Sequence, residues 1–226
     1  MPDDDEHMWV EVGTGETNTT PGSHVDIFLS MNGPPICPNM TDAEFRKRVL
    51  VLRDCAAIVV GRRLAALSQW SIAEQARVTD WFGRSDAAIY DRLMSGLPAL
   101  KKVLEGLGPK NFLRASPELD RYLGCMPHLK NVQEEAAHVC APDTRTHTMC
   151  IAPKFCTMPE VHMFNESKLA TIVHEATHFV DTFGSADNMY GFNSYMKVWA
   201  RSNPDLATRN ADSIALYVLY GEEIHV

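Results

Sequence analysis

The stretch Thr171–Val180 constrains this chain more than any other segment, because it carries the sequence H-E-A-T-H at positions 174–178. On a helix, residues four apart lie on one face, so His174 and His178 would direct two imidazoles toward one position. That spacing suits a tetrahedral zinc ion, and Glu175 beside it can act as a general base toward a zinc-activated water. The segment therefore predicts a helix with two metal ligands and a base.

Apolar residues recur at near-helical spacing across the same segment, which predicts a core-facing stripe. Ser167 is the expected N-cap of this helix and Gly184 its expected stop. The alternative interpretation is a solvated helix with two unrelated histidines, because a short motif also occurs by chance. The apolar positions are Leu169, Ile172, Val173, Ala176, Phe179, Val180 and Phe183.

A third zinc ligand has to come from elsewhere, because a catalytic zinc usually takes three protein ligands and leaves the fourth position to water. Asp187 is the first candidate, since the glycine-bracketed segment 184–191 is typical of a loop just past the helix. Tyr190 in this loop can hydrogen-bond the oxyanion that forms when water attacks a carbonyl. In the alternatives, both are ordinary turn residues, or a distal glutamate, Glu222 or Glu223, is the third ligand.

These two blocks resemble the aspzincins, the deuterolysin and peptidyl-lysine metalloendopeptidase family of zinc proteases. The family pattern is H-E-x-x-H followed by G-T-x-D-x-x-Y-G, and the second block here reads G-S-A-D-N-M-Y-G, with Ser185 in place of threonine. The sequence N-A-D-S at 210–213 resembles the family's helix near the C-terminus, and segments 150–156 and 81–83 resemble further family segments. The likeness covers roughly residues 40 to 221 and is specific in the last third.

The resemblance implies an α+β, mainly helical, zincin-like metalloprotease fold with a small β-sheet beside the active-site helix. It implies one zinc ion per chain, held by His174, His178 and Asp187, with Glu175 and Tyr190 as catalytic residues. The expected activity is zinc-dependent hydrolysis of peptide bonds by an endopeptidase. An edge strand of the small sheet can hold an extended substrate by strand addition.

Asp212 is the expected substrate-binding residue. In lysine-specific members of the family, the Asp of N-A-D-S and an acidic residue three positions later receive a substrate lysine just after the cleaved bond. The second position here is Ala215, so a preference for basic residues after the cut would depend on Asp212 alone. The alternative is a structural role for Asp212 near the zinc loop. For the whole chain, the alternative is a non-catalytic zinc-containing binding module, although structural zinc is usually fully protein-ligated.

The composition and net charge of the chain limit the classes of molecule that it is expected to bind. Hydrophobic content of 45% and charged content of 22% are ordinary for a globular protein. A net charge of −8 argues against nucleic-acid binding and suits basic protein or peptide substrates. No apolar run approaches the length of a membrane span. The expected partners are therefore protein or peptide substrates, with an inhibitor or immunity protein as a further candidate.

The acidic N-terminal segment 1–7 does not resemble a secretory signal peptide, whereas the family resemblance implies an extracytoplasmic protease. The chain is therefore expected to be secreted by a route that needs no such signal, or to be an excised domain; a secreted effector or toxin is one hypothesis. Six cysteines fit disulfide bonds in an oxidising compartment, but the sequence does not fix their pairing. Cys55, inside a helical pattern, is the candidate for a buried thiol.

Residues 1–40 are rich in Gly, Thr, Pro and Asp, which predicts a flexible or loosely ordered N-terminal arm with one short strand at 24–30. Residues 41–226 are expected to form the metallopeptidase domain. Its first half should contain four helices, and short apolar runs between 110 and 165 predict small strands. The four helices are predicted to begin at Thr41, Ser71, Ser85 and Pro98, with stops at Gly83, Gly96 and Gly108 after the last three.

Overall fold

The computed structural model describes residues 9–16, 24–30, 34–127, 134–162, 165–191 and 194–224. The fold is α+β and mainly helical, as predicted. The helices are α1 Asp42–Gln69, α2 Ile72–Phe82, α3 Ala87–Gly106, α4 Pro117–Leu123, α5 Pro153–Thr157, α6 Lys168–His178, α7 Ser194–Ser202, α8 Pro204–Ala207 and α9 Ala211–Leu219. The strands are β1 Trp9–Glu16, β2 His24–Ser30, β3 Phe112–Arg114, β4 Ala137–Val139 and β5 Met149–Ile151.

Helix α1 is the long support of the core, and it begins where its capping signal predicts. The Thr41 hydroxyl accepts a hydrogen bond from the backbone N–H of Glu44, and the Glu44 carboxylate accepts one from the backbone N–H of Thr41. These two bonds satisfy backbone donors that a helix start leaves unpaired. The buried face of α1 packs against α3 and α6, so this helix supports the segment that carries H-E-A-T-H.

The prediction of two separate helices between Ser85 and Leu107 is wrong. The chain forms one continuous helix, α3, with Pro98 inside it. An internal proline costs a helix about 3 kcal/mol. Burial of Leu93, Leu97, Leu100 and Leu104 on the same helix offsets that cost. The N-cap is also one residue later than predicted, since the Asp86 side chain accepts from the N–H of Ile89 at 3.0 Å.

Gly96 serves packing in this helix and does not end it. A Cβ at Gly96 would lie 2.2 Å from Cε1 of Phe183, far inside van der Waals contact. Phe183 is buried at the start of the loop that follows α6, and its carbonyl accepts a hydrogen bond from Arg92 at 2.9 Å. The absence of a side chain at Gly96 therefore lets the loop anchor on α3.

Gly96→Ala is expected to lower the free energy of unfolding by about 1–3 kcal/mol, because the added methyl overpacks the Phe183 contact. A helical Gly→Ala change without a clash would stabilise the chain instead. Gly106→Ala in the same helix is the matched control, since a Cβ there meets nothing within 4 Å. Chemical denaturation of both variants measures the difference. Equal or higher stability of Gly96→Ala would contradict the packing argument.

Strands β3, β4 and β5 form a three-stranded sheet in the order β3-β5-β4, with β3 parallel and β4 antiparallel to the central β5. The short strands predicted in this region are confirmed. Strand β4 lies at the edge of the sheet and contacts α6. The sheet therefore stands beside the H-E-A-T-H helix, as expected for this fold.

Helix α6 begins at its predicted cap, where Ser167 Oγ accepts from the N–H of Ala170 at 3.2 Å. It ends at His178, well before the predicted stop at Gly184. The hydroxyl of Thr182 lies within hydrogen-bonding distance of the carbonyl oxygens of Ala176, at 2.7 Å, and Phe179, at 2.8 Å, and caps this end of the helix. Val180, predicted on the core-facing stripe, is consequently exposed.

Two disulfides form: Cys37–Cys156 joins residues 119 positions apart, and Cys125–Cys140 closes a loop between residues 15 positions apart. Cys55 and Cys150 lie outside them. Cys55 is half-buried on α1, and Cys150 is fully buried on β5. In the part of the chain that the structure describes, no helix has both the length and the apolarity needed to cross a membrane.

The N-terminal region contains more regular structure than the sequence predicts. Strand β2 coincides with the predicted strand, and it pairs antiparallel with β1, which falls in a stretch predicted to be loose. Ile36 is buried in the core and Cys37 is cross-linked to Cys156. Several residues of the predicted arm, among them 1–8 and 17–23, lie outside the described residues. A domain boundary at residue 40 stays a prediction.

Candidate active site

His174, Glu175 and His178 occupy the last turn and a half of α6. The buried face of this helix, with Leu169, Ile172, Val173 and Ala176, packs into the core and against α9. Residues four apart share a face, so the two imidazoles stand together, 4.9 Å apart between ring centroids. Core packing of the apolar face thereby fixes the direction in which both rings project.

Asp187 meets these two rings. Its Oδ1 lies 3.2 Å from Nε2 of His174 and 3.4 Å from Nε2 of His178, and the two Nε2 atoms are 3.2 Å apart. Ligand atoms about 2.0–2.1 Å from one zinc ion in a tetrahedron are roughly 3.3–3.4 Å from each other. The three atoms therefore have the mutual spacing of three corners around one zinc ion, and their donor set suits zinc.

The loop after α6 delivers Asp187 through backbone contacts. The N–H of Ser185 donates to the carbonyl of Thr177 at 3.1 Å, which folds the loop back onto the helix. The Asn210 side chain accepts from the N–H groups of Asn188 and Met189, both at 2.9 Å, and so holds the other end. Sequence reasoning did not assign these roles to Ser185 and Asn210. Their positions inside the two family-like blocks were the available signal.

Each imidazole uses its second nitrogen for an internal hydrogen bond. Nδ1 of His174 lies 2.6 Å from Oδ1 of Asp212, and Nδ1 of His178 lies 3.0 Å from the carbonyl oxygen of Ser185. The other oxygen of Asp212 accepts from the N–H of Gly191 at 3.0 Å. When Nδ1 donates a proton in this way, Nε2 presents its lone pair toward the point shared with Asp187.

The charges of the site are coupled. Burial raises the pKa of Glu175 to about 7, while His174 and His178 act in the opposite direction. Burial also acts to raise the pKa of Asp187, but hydrogen bonds from His174 and His178 hold it well below its usual range. Asp187 is therefore an anion at neutral pH, as a metal ligand has to be. A carboxyl group with a pKa near 7 suits a general base.

Tyr190 stands at the mouth of the site. Its ring stacks on that of His174, with 6.3 Å between centroids and 16° between planes. The side chain is exposed, so the phenol can meet a molecule that enters from solvent. The structure thus brings Tyr190 beside the two histidines.

A cleft of about 1260 Å³ opens over the site. Its lining includes edge strand β4 and all six of the predicted site residues. Glu223 also lines it, together with Glu222, whose carboxylate pairs with Arg63. Within the described residues, the group that could hold a metal with the two histidines contains Asp187 and neither of these glutamates. The six are His174, Glu175, His178, Asp187, Tyr190 and Asp212.

A helix with two imidazoles and an adjacent carboxylate, joined by a loop carboxylate beneath an open cleft, defines the class of metal-dependent hydrolases. Comparison with known proteins identifies the family. The sequence model of the aspzincin family, described as lysine-specific metallo-endopeptidase, matches residues 69–219. The chain belongs to this family, and it is a zinc-dependent metalloendopeptidase.

A solved structure supports the fold assignment. The zinc peptidase from Grifola frondosa is similar with a TM-score of 0.59 and 20% sequence identity, and the similarity covers 77% of this chain and 94% of that one. No curated protein sequence matches the chain. At 20% identity the structural likeness supports only the assignment of the fold. The roles of individual residues therefore have to be argued from the geometry of the site.

Proposed function

We propose that His174, His178 and Asp187 hold the zinc ion of this endopeptidase and that Glu175 is its general base. The observation that carries the proposal is the 3.2–3.4 Å spacing of Nε2, Nε2 and Oδ1, which matches three corners of a tetrahedron around zinc. All three residues line the cleft. A zinc ion held by three protein ligands would keep one position for water, as catalytic zinc sites do.

The residues divide the work of hydrolysis. Zinc, when bound, polarises the scissile carbonyl and lowers the pKa of a water molecule. Glu175, buried against the histidines, accepts a proton from the attacking water and returns it to the departing amine. Tyr190 donates a hydrogen bond to the oxyanion from the mouth of the cleft. Edge strand β4 lines the cleft, where it can hold an extended substrate by strand addition.

Asp212 acts, in this proposal, by orienting His174. Both of its oxygens already have internal partners, the imidazole of His174 and the N–H of Gly191. A carboxylate that accepts from a ligating histidine fixes the ring and raises its basicity. This supports the structural alternative for Asp212, while its predicted contact with a substrate lysine stays a prediction.

Asp212→Asn is expected to weaken zinc affinity about 10–100-fold, because the amide cannot supply the same anionic acceptor to His174. Competition with a chelator measures the zinc affinity, and cleavage mapping of the same variant measures the preference after the cut. The control is Asp205→Asn on α8, whose carboxylate is largely exposed and pairs with Arg84 at 2.9 Å. Unchanged zinc affinity with a lost lysine preference would contradict the orienting role and support substrate binding.

We propose that the enzyme prefers substrates with basic residues near the cut. The cleft is lined by several carboxylates outside the zinc site, among them Glu134, Glu166 and Glu223, and the chain carries a net charge of −8. An acidic cleft concentrates cationic segments by long-range attraction. Ala215 also lines the cleft three residues after Asp212, so the wall near Asp212 offers no second carboxylate at that position.

We propose an extracytoplasmic location for the enzyme. The disulfides Cys37–Cys156 and Cys125–Cys140 support it, because such bonds persist mainly in oxidising compartments. Action as a secreted effector or toxin, with an inhibitor or immunity protein as partner, remains a hypothesis. Expression with and without a candidate inhibitor, with cell viability as the readout, is the direct test of it.

Mass-spectrometric cleavage mapping of a mixed, unfolded protein substrate tests the proposed function. The protein is run with zinc, with a chelator, and with zinc restored after chelation. We expect cuts that require zinc and that precede lysine or arginine more often than their abundance predicts. Zinc-dependent cuts without a preference for lysine or arginine would contradict the proposed substrate preference and leave the endopeptidase assignment intact. No cut from a zinc-loaded protein would favour the binding-module alternative.

A further inference from the structure

A second group of metal-ligating side chains lies outside the H-E-A-T-H site. Asp120 on α4, His138 on β4 and Cys150 on β5 place one ligand atom each within 4.8 Å of one another. Asp120 is 5% exposed and Cys150 is fully buried. Nε2 of His138 lies 2.8 Å from Oδ1 of Asp120. Three chemically different ligands thus converge inside the protein, on three different elements.

The fold itself brings these side chains together. His138 and Cys150 are direct partners in the antiparallel pairing of β4 with β5, so they share one face of the sheet. Asp120 on helix α4 meets His138 on that face, and the Gly124 cap of α4 is followed by Cys125, which is cross-linked to Cys140 just after β4. The disulfide therefore ties the end of α4 to the end of the strand that carries His138.

The orientation of His138 repeats that of the proposed zinc ligands. Its Nδ1 lies 3.3 Å from the Glu135 carboxylate, while its Nε2 faces Asp120. In the first site, Nδ1 of His174 faces Asp212 while Nε2 faces Asp187. A ligating histidine almost always donates its second N–H to a carboxylate or carbonyl, and this bond fixes the ring. The Glu135 carboxylate stands in the corresponding position beside Nδ1 of His138, at ion-pair distance.

The donor set selects the kind of ion. A thiolate, an imidazole and a carboxylate suit zinc and similar thiophilic divalent cations, whereas calcium and magnesium prefer oxygen ligands alone. Zinc bonds thiolate sulfur at about 2.3 Å and nitrogen or oxygen at about 2.0–2.2 Å, so its ligand atoms lie roughly 3.3–3.8 Å apart. The three atoms lie within 4.8 Å of one another, close to that spacing. Asp120 and His138 line the large cleft, which gives the ion a route of entry.

We propose that Asp120, His138 and Cys150 form a second binding site for a zinc-like divalent cation. The ion joins α4 to the β4–β5 pair, and β4 is the strand that borders the cleft. Its role is therefore to stiffen the wall of the cleft. The alternative is a buried, metal-free network in which the same three side chains hydrogen-bond one another. The proposal does not depend on the assignment of the catalytic ligands.

Cobalt titration of the metal-stripped protein separates these two states. Co(II) bound by a thiolate shows a sulfur-to-metal charge-transfer band, and the His174, His178 and Asp187 group contains no sulfur. We expect wild type to bind two Co(II) ions per chain and to show this band. His178→Ala should weaken the other site and keep the band, so the failure of one assignment is distinguishable from that of the other.

Cys150→Ala should remove the band and reduce binding to one ion, and Asp120→Asn is a second variant that leaves the thiol in place. Cys55→Ala is the matched control, because it deletes the other cysteine outside the disulfides and should leave the band unchanged. One Co(II) per chain without a charge-transfer band in wild type would overturn the proposal. A band that survives in Cys150→Ala would overturn it as well.

Discussion

Glu175→Gln is expected to bind zinc as wild type does and to lose about 10²–10⁴-fold in kcat. The carboxylate of Glu175 is buried beside the two histidines, and none of the ligand atoms of the three-residue metal group belongs to it. An amide of nearly the same shape preserves packing but accepts no proton. The loss should therefore fall on the chemical step, and KM should change little.

The measurement combines metal analysis with steady-state kinetics on a peptide cut by wild type. Glu166→Gln is the matched control, since this carboxylate also lines the cleft but pairs with Lys154 at its surface. The control is expected to keep kcat within a few-fold of wild type. Full activity of Glu175→Gln with as much bound zinc as wild type would exclude Glu175 as the general base. Loss of zinc would instead make it a structural support of the site.

Asp187→Ala is expected to release zinc and abolish turnover, because two imidazoles remain where three ligands met. Its carboxylate lies 3.2 and 3.4 Å from the two Nε2 atoms, and the loop holds it there through Ser185 and Asn210. The loss of affinity should exceed the roughly 10–100-fold that removal of an outer hydrogen-bond partner costs. Zinc content after dialysis and chelator competition measure it, with each variant made in a Cys150→Ala background so that the second proposed metal site does not contribute.

Glu222→Ala and Glu223→Ala are the comparison variants, because a distal glutamate is the rival third ligand. Both are expected to retain zinc. Glu222 pairs with the buried Arg63, which keeps Glu74 as a second partner at 2.8 Å, so thermal melting has to accompany the metal analysis. Zinc retained by Asp187→Ala and lost by a folded glutamate variant would assign the third ligand to that glutamate.

The parts of the fold that were predicted correctly depend on interactions between residues close in sequence. Thr41, Ser71 and Ser167 cap helices where expected, because each bonds a backbone N–H three residues away and needs no tertiary context. The H-E-A-T-H spacing is also local, since a helix sets the relation of His174 to His178. Such features can therefore be predicted from the sequence alone.

Long-range packing decided the parts that were predicted wrongly or missed. Gly96 and Pro98 are typical of a helix boundary, yet contact with Phe183 and burial of the neighbouring leucines keep α3 continuous. The same holds for His138, which is ordinary in sequence. Only the pairing of β4 with β5 sets it opposite Cys150 and beneath Asp120. A sequence pattern does not predict that residues so far apart in the chain come into contact.

The Cys37–Cys156 bond also bears on the durability of a protease exposed to its own activity. It spans 119 positions and closes just ahead of α6, so a single cut anywhere between the two cysteines leaves both fragments covalently attached. The H-E-A-T-H helix and the Asp187 loop lie beyond this closed ring and stay on one uninterrupted fragment. A nicked molecule therefore keeps its two fragments together, with the proposed zinc ligands on one continuous fragment. The two fragments separate on a denaturing gel only after the disulfides are reduced.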